Sequence, residues 1–260
     1  MACGRLHLIG CVLVCAGVMA DAASGGTISL TAQQDAALYE STDGSIANGA
    51  GQYLFAGRTN QAPVGALRRS VIQFNLAGAI PEGAEIVAAR LVMNLSQLNG
   101  GEAQVSLHRS LSAWTSGSSD PSGGEGSGAP ATAGDATWIH SSWSGPASGS
   151  FWNAAGGDFV SQASASVTTA ATGLYTWSSA GLLSDVRMFA AAPSLNFGWF
   201  IIGPESSMGV TRRFDSSESA SAGGIVPRLE VEWTVVPAPA SALALLCVLA
   251  PSRRRRRQFA

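Results

Sequence analysis

The chain has 260 residues, enough for one β-sandwich of ordinary size with material left at both ends, and only 12% of them are charged. Lysine is absent, so all 15 basic residues are arginines; with Arg5, Asp21 and Arg253 to Arg257 set aside, 9 arginines face 16 acids, about −7, which argues against nucleic acid as the main partner. The four cysteines, Cys3, Cys11, Cys15 and Cys247, also lie at the ends, which leaves the middle with neither a disulfide framework nor a thiolate metal site.

Met1 to Ala22 carries Arg5, an apolar run from Leu6 to Met19 and then Ala20-Asp21-Ala22, the pattern of a secretory signal read by signal peptidase. Leu8-Ile9-Gly10-Cys11 has the local look of a lipoprotein box, with a short apolar run ahead of the cysteine. Strands are predicted at Thr27 to Thr31, Ala36 to Glu40 and Gln52 to Ala56, with Ser41 to Gly51 as turns.

The stretch from Arg68 to Leu95 reads as two strands and a turn. Ile72, Phe74 and Leu76 alternate with Val71, Gln73 and Asn75, and Leu91, Met93 and Leu95 alternate with Arg90, Val92 and Asn94. Such period-two alternation marks half-buried antiparallel strands. Ile80-Pro81-Glu82-Gly83 supplies a fixed φ followed by a residue tolerant of positive φ, which suits a turn.

Further strands are expected at Val105 to Arg109, Leu174 to Trp177, Phe197 to Ile202, Thr211 to Phe214 and Pro227 to Val235. In the last, Leu229, Val231, Trp233 and Val235 oppose Arg228, Glu230, Glu232 and Thr234, one dry face and one wet. Two segments break the pattern. The Ser/Gly-rich stretch 115–134 has few apolar residues to bury and reads as a flexible loop. Leu182, Leu183, Val186 and Phe189 have helical spacing after Ser178 and Ser179 and before Pro193, which predicts a short helix over 179–192 covering one end of the sandwich.

Many short strands with long Gly/Ser-rich loops predict an all-β sandwich or barrel over 23–235. After it, Val236-Pro237-Ala238-Pro239, the apolar run Ala240 to Ala250 and five arginines form a tail over 236–260, too short in apolar residues to cross a bilayer as it stands. The arginines would hold its end in the cytoplasm.

The tail resembles the PEP-CTERM sorting signal, with Pro-Ala-Pro in place of Pro-Glu-Pro. That resemblance implies handling by an exosortase-like sorting enzyme and transient or permanent membrane association. The middle resembles DNRLRE-type domains, related to carbohydrate-binding modules. It does so through Asp35 to Tyr39, Arg69 to Leu76, Ile80 to Ala84 leading to Ala89-Arg90-Leu91, Asn196 to Trp199, Arg213-Phe214-Asp215-Ser216 with Glu218, and Pro227 to Val231. It implies an antiparallel jelly-roll β-sandwich, exported to the cell envelope or beyond, mostly non-catalytic and in some members binding acidic polysaccharide. Arg212 stands where the family commonly has Lys before Arg-Phe-Asp-Ser.

The residues themselves give little for catalysis: the middle has two histidines, His108 and His140, and no HExxH, GxSxG or CxxC. A lyase would need His108, Tyr175 and an arginine to converge. The candidate ligand-binding cations are Arg68, Arg69, Arg212 and Arg213, since the guanidinium fork matches a carboxylate. The pleat sends each neighbour in a doublet to the opposite face. The bland alternative pairs Arg69 or Arg213 with Asp35, Asp215 or Glu218. Trp138, Trp143 and Trp152, among Gly/Ser loops, are candidates either for stacking on sugar rings or for plugging the sandwich ends, whereas Trp177, Trp199 and Trp233 lie in strand patterns and belong to the core. Asp35, Asp43 and Asp158 are candidate ligands for a structural calcium, without a spacing motif, and no other cofactor is expected.

The sequence therefore predicts a non-catalytic polysaccharide-binding module, with a structural spacer as the alternative and a polysaccharide lyase or hydrolase as a third reading.

Overall fold

The structure, a computed structural model, describes residues 24–61 and 65–235. The leader expected over 1–22 and the tail expected over 236–260 lie outside the described residues. Among the described residues, no helix is long and apolar enough to cross a membrane.

The strands, in chain order, are β1 (Ser24–Tyr39), β2 (Ile46–Asn48), β3 (Tyr53–Arg58), β4 (Leu67–Phe74), β5 (Ala84–Asn99), β6 (Ala103–Arg109) and β7 (Ala129–Pro130). They continue with β8 (His140–Gly145), β9 (Ser148–Phe151), β10 (Ala165–Thr169), β11 (Gly173–Trp177), α1 (Ala180–Ala191), β12 (Trp199–Ile202), β13 (Val210–Asp215) and β14 (Arg228–Val235). Every ladder is antiparallel, so the chain is an all-β protein of sandwich or barrel type. One run of paired neighbours goes β10-β6-β12-β4-β1-β2-β7, and another goes β4-β3-β13-β5-β14-β1, with β11 on the other edge of β5.

Two 16-residue strands organise these runs. The first half of β1 pairs with β14 and the second half with β4, the register shifting at a bulge between Ala32 and Gln34. The two strands predicted at 27–31 and 36–40 are thus one bent strand, as expected where a bulge re-aims a chain between layers. β5 pairs in line with β14 and then β13. β4 and β5 do not pair with each other. The Ile80–Gly83 turn between them, with Gly83 at φ 76°, instead carries the chain across the core.

The core is the inward set of both runs, including Ile72, Phe74, Leu91, Met93, Leu95, Trp177, Trp199, Phe214, Leu229 and Val231. Trp233, expected there too, is only half-buried, its ring lying over Gly26. Helix α1 adds Leu182, Val186 and Phe189. Ser179 starts it as expected, its hydroxyl accepting from the Leu182 amide at 3.0 Å, and Pro193 follows its end. A second apolar cluster lies on the outer side of β1, β4 and β12, where Leu38, Val71 and Phe200 meet Trp114, Trp138 and Trp152. The long segment between β6 and β10 therefore roofs one layer.

Candidate functional site

The arginine doublets obey the pleat. Arg68 faces Tyr39, with its guanidinium carbon 4.8 Å from the ring centroid, whereas Arg69 lies on the roofed side, 5.0 Å from the Trp138 ring and 5.1 Å from Phe159. Arg69 is paired, though with none of the acids the sequence suggested. Glu205 takes its Nε and Nη2 at 2.6 and 2.9 Å, and Gly156 O takes Nη1 at 2.7 Å. This bidentate pair closes the roof, and the guanidinium is not free to meet a ligand.

Arg212 is also spent, on backbone. It is fully buried and donates to Thr169 Oγ1 at 2.7 Å, to Asn99 O at 2.8 Å, and to Gly101 O and Thr169 O. Burial pushes its pKa below the ordinary guanidinium value. Its work is to tie β13 to the chain around the β5–β6 turn and the end of β10, so its place in the ligand-binding set is corrected to structural. Arg68 is buried as well, held by Gly65 O, Leu67 O, Gln61 Oε1 and Gly126 O at 2.7 to 3.2 Å, and burial likewise lowers its pKa.

Arg213 differs from the other three. Its guanidinium stacks on the Tyr53 ring at 3.8 Å and donates from Nε to Ser96 Oγ at 3.3 Å, and no carboxylate pairs with it among the described residues. It lines a cleft of about 390 Å³ whose walls are Phe55 of β3, Gln97 and Asn99 of β5, Thr211 of β13 and the 122–128 loop, with Arg68 at its back. The cleft thus offers a half-exposed cation, two amide side chains and an aromatic edge.

The loop wall lies inside the segment expected to be flexible. It is irregular apart from its β7 bridge, but polar contacts pin it in place of the apolar burial it lacks. The Asp135 carboxylate accepts from the amides of Ser118, Ser119 and Thr132 at 2.6 to 3.1 Å. Glu125, buried and at φ 60°, accepts from the amides of Gln52 and Tyr53 and from Asn48 Nδ2 at 2.9 to 3.0 Å, while its carbonyl accepts from the Tyr39 hydroxyl at 2.7 Å. Burial pushes the Tyr39 hydroxyl's pKa up. Glu125, Tyr53 and Gln97 escaped the sequence reading because their partners come from distant strands. The one local sign was an acid set in a run of glycines and serines.

The tryptophans are placed otherwise than a sugar platform requires. Trp138 and Trp152 are buried in the roof cluster, and Trp152 Nε1 donates to Thr137 O at 2.9 Å. Their rings face Phe200 and Arg69, so stacking on a sugar is withdrawn for both. Trp143 is half-buried in the β8–β9 hairpin and does not line the cleft.

The aspartates proposed for calcium are separate. Asp43 caps Ser45 at the surface, and Asp158 is occupied by Ser112, Asn153 and Ala154. Asp35 is buried, accepts from the Ser217 amide at 2.9 Å, and is pushed up to about 8 by burial and then by the charge of Glu218. No group of three or more metal-ligating side chains forms among the described residues. His108 and Tyr175 are likewise apart: His108 Nδ1 sits 3.0 Å from Val160 O, and the Tyr175 hydroxyl binds the backbone of Ala170 and Ala171.

Fold and cleft together define an antiparallel all-β protein with a polar hollow walled by Arg213. Compared with known proteins, the chain matches no family model and no curated protein.

Proposed function

We propose that this chain is an exported, non-catalytic module of the cell envelope or extracellular matrix that binds an acidic polysaccharide in the Arg213 cleft. The observation that carries the reading is the state of Arg213, a half-exposed guanidinium with no carboxylate partner among the described residues, held over the Tyr53 ring at the wall of a cleft with Gln97 and Asn99 beside it. A carboxylated sugar ring matches that set: the fork takes the carboxylate and the amides take hydroxyls. The leader pattern, the PEP-CTERM-like tail and the resemblance to DNRLRE-type domains support export, with signal peptidase and an exosortase-like enzyme as processing partners.

A second reading, a structural spacer without sugar binding, draws support from the burial of Trp138 and Trp152, which leaves the cleft without a tryptophan platform.

Affinity electrophoresis of the purified chain through gels carrying acidic or neutral polysaccharides separates the two readings. Retardation by an acidic polymer, weakened by salt, lost in Arg213→Ala and partly kept in Arg213→Lys, is the expected result. A folded chain that no polymer retards would leave the spacer reading standing. Arg212→Ala is unsuited to this test, because its guanidinium holds the fold together.

A further inference from the structure

The first half of β1, Ser24 to Thr31, is hydrogen-bonded to β14 on one side, and no strand pairs with its other side among the described residues. Eight residues at about 3.3 Å each leave some 26 Å of unpaired backbone. The burial pattern there alternates. Thr27, Ser29 and Thr31 are exposed on one face, and Ile28 and Leu30 are half-exposed on the other, over the margin of the core.

Proteins blunt such edges with charge, proline, a bulge or a cover. The other one-sided stretches here are blunted or short. The free stretch of β5 bears Glu85 and Arg90, and α1 covers it, with Arg187 Nε donating to Ile86 O at 2.8 Å. β10 and β11 are five residues each. Among the described residues the β1 edge has none of these protections: from Ser24 to Gln34 there is no charged residue and no proline, and the bulge comes only after Ala32.

We propose that this edge joins a second copy of the chain, β1 pairing antiparallel with β1 of its partner about a two-fold axis normal to the sheet. The strand is its own complement in three respects. A two-fold of that kind keeps faces matched, so the Thr/Ser row runs on into a Thr/Ser row while Ile28 and Leu30 meet their equivalents and lose their remaining exposure. An uncharged strand sets no like charges across the axis. The nearest acids, Glu230 and Glu232 of β14, lie one strand back and are paired with Arg90. The product is one continuous sheet, β5-β14-β1 running on into β1-β14-β5 of the partner, with the Arg213 clefts outside the joint.

Sedimentation velocity on the full chain tests this, using two edge variants at exposed positions, Thr27→Lys/Ser29→Lys and Thr27→Glu/Ser29→Glu. The unmodified chain is expected to be dimeric. Each variant alone is expected to be monomeric, and an equimolar mixture of the two to be dimeric again, because Lys then faces Glu across the axis. That restoration separates edge pairing from a folding defect. A monomeric unmodified chain, variants that stay dimeric, or variants that fail to recombine on mixing would each overturn the proposal.

Discussion

Arg212 and Arg213 are adjacent in sequence and opposite in role, which makes them a direct test of burial against exposure. Replacing Arg212 by Ala leaves Thr169 Oγ1 and Thr169 O buried without their donor, and also removes the bonds to Asn99 O and Gly101 O at the exposed β5–β6 turn. At about 1–3 kcal/mol per unsatisfied group, a loss of about 3 kcal/mol or more follows, and thermal melts should fall by about 10 °C. Arg213→Ala removes a surface stack and one long hydrogen bond, so the loss there stays within about 1 kcal/mol. Equal melting temperatures for the two variants would refute the assignment. Asp35 supplies a pH dependence of defined sign. Buried and facing Glu218, it holds its proton up to about pH 8 in the folded chain, whereas the unfolded carboxyl releases it near pH 4. The folded state therefore binds more protons across that window. Its contribution is fully present below about pH 4 and is lost as pH rises toward about 8, with a limiting slope of about 1.4 kcal/mol per pH unit. Asp35→Asn, which mimics the protonated carboxyl, should flatten that slope. Urea midpoints at pH 5 and pH 8, measured in both proteins, check it, and an unchanged slope in the variant would assign the dependence to another group.

The elements that carry the cleft depend on the Glu125 carboxylate, which accepts from two backbone amides of the β2–β3 connection and from Asn48. Glu125→Ala should release the 118–128 loop while leaving the layers intact. Hydrogen exchange at those amides is then expected to approach the unprotected rate, with Leu91 to Leu95 and Trp199 to Ile202 unaffected. Slow exchange retained in the loop would show that Asp135 alone holds it. Period-two alternation placed β5 and β14, and a serine cap with Pro193 placed α1, because those signals are local. The roof was less legible. Trp199-Phe200-Ile201-Ile202 is apolar at every position, the mark of a strand covered on both faces, and Val71 interrupts the polar row of Gln73 and Asn75. Both signs say that something must cover the outside of β4 and β12. Neither says that the cover is Trp114, Trp138 and Trp152, so the tryptophans looked available for sugar. The partner of Arg69 was hidden for the same reason, since Glu205 lies 136 residues away and only the β12 register brings it near.

At the scale of the whole molecule, β5 sets a direction. At its start Ala84 pairs with Val235, which in turn pairs with Ser24, so the two ends of the described chain leave together. At its finish Asn99 pairs with Thr211 beside the cleft. Fifteen steps of about 3.3 Å set an upper bound of about 50 Å between the chain ends and the hollow, shortened by the two register irregularities along β5. If the segment after Val235 tethers the module, as proposed, the cleft faces away from the tether, the arrangement a surface-held binder of a bulky polymer requires. The consequence can be measured by immobilising the protein in two ways, through its C-terminal end and through Glu102→Cys, an exposed position in the β5–β6 turn that does not line the cleft, in a chain whose four native cysteines are replaced by serine. C-terminal attachment should preserve the polymer uptake seen in solution, and attachment at position 102 should abolish it. If the free chain binds and C-terminal attachment blocks uptake, the site lies near the chain ends and the Arg213 cleft is not where the polymer sits.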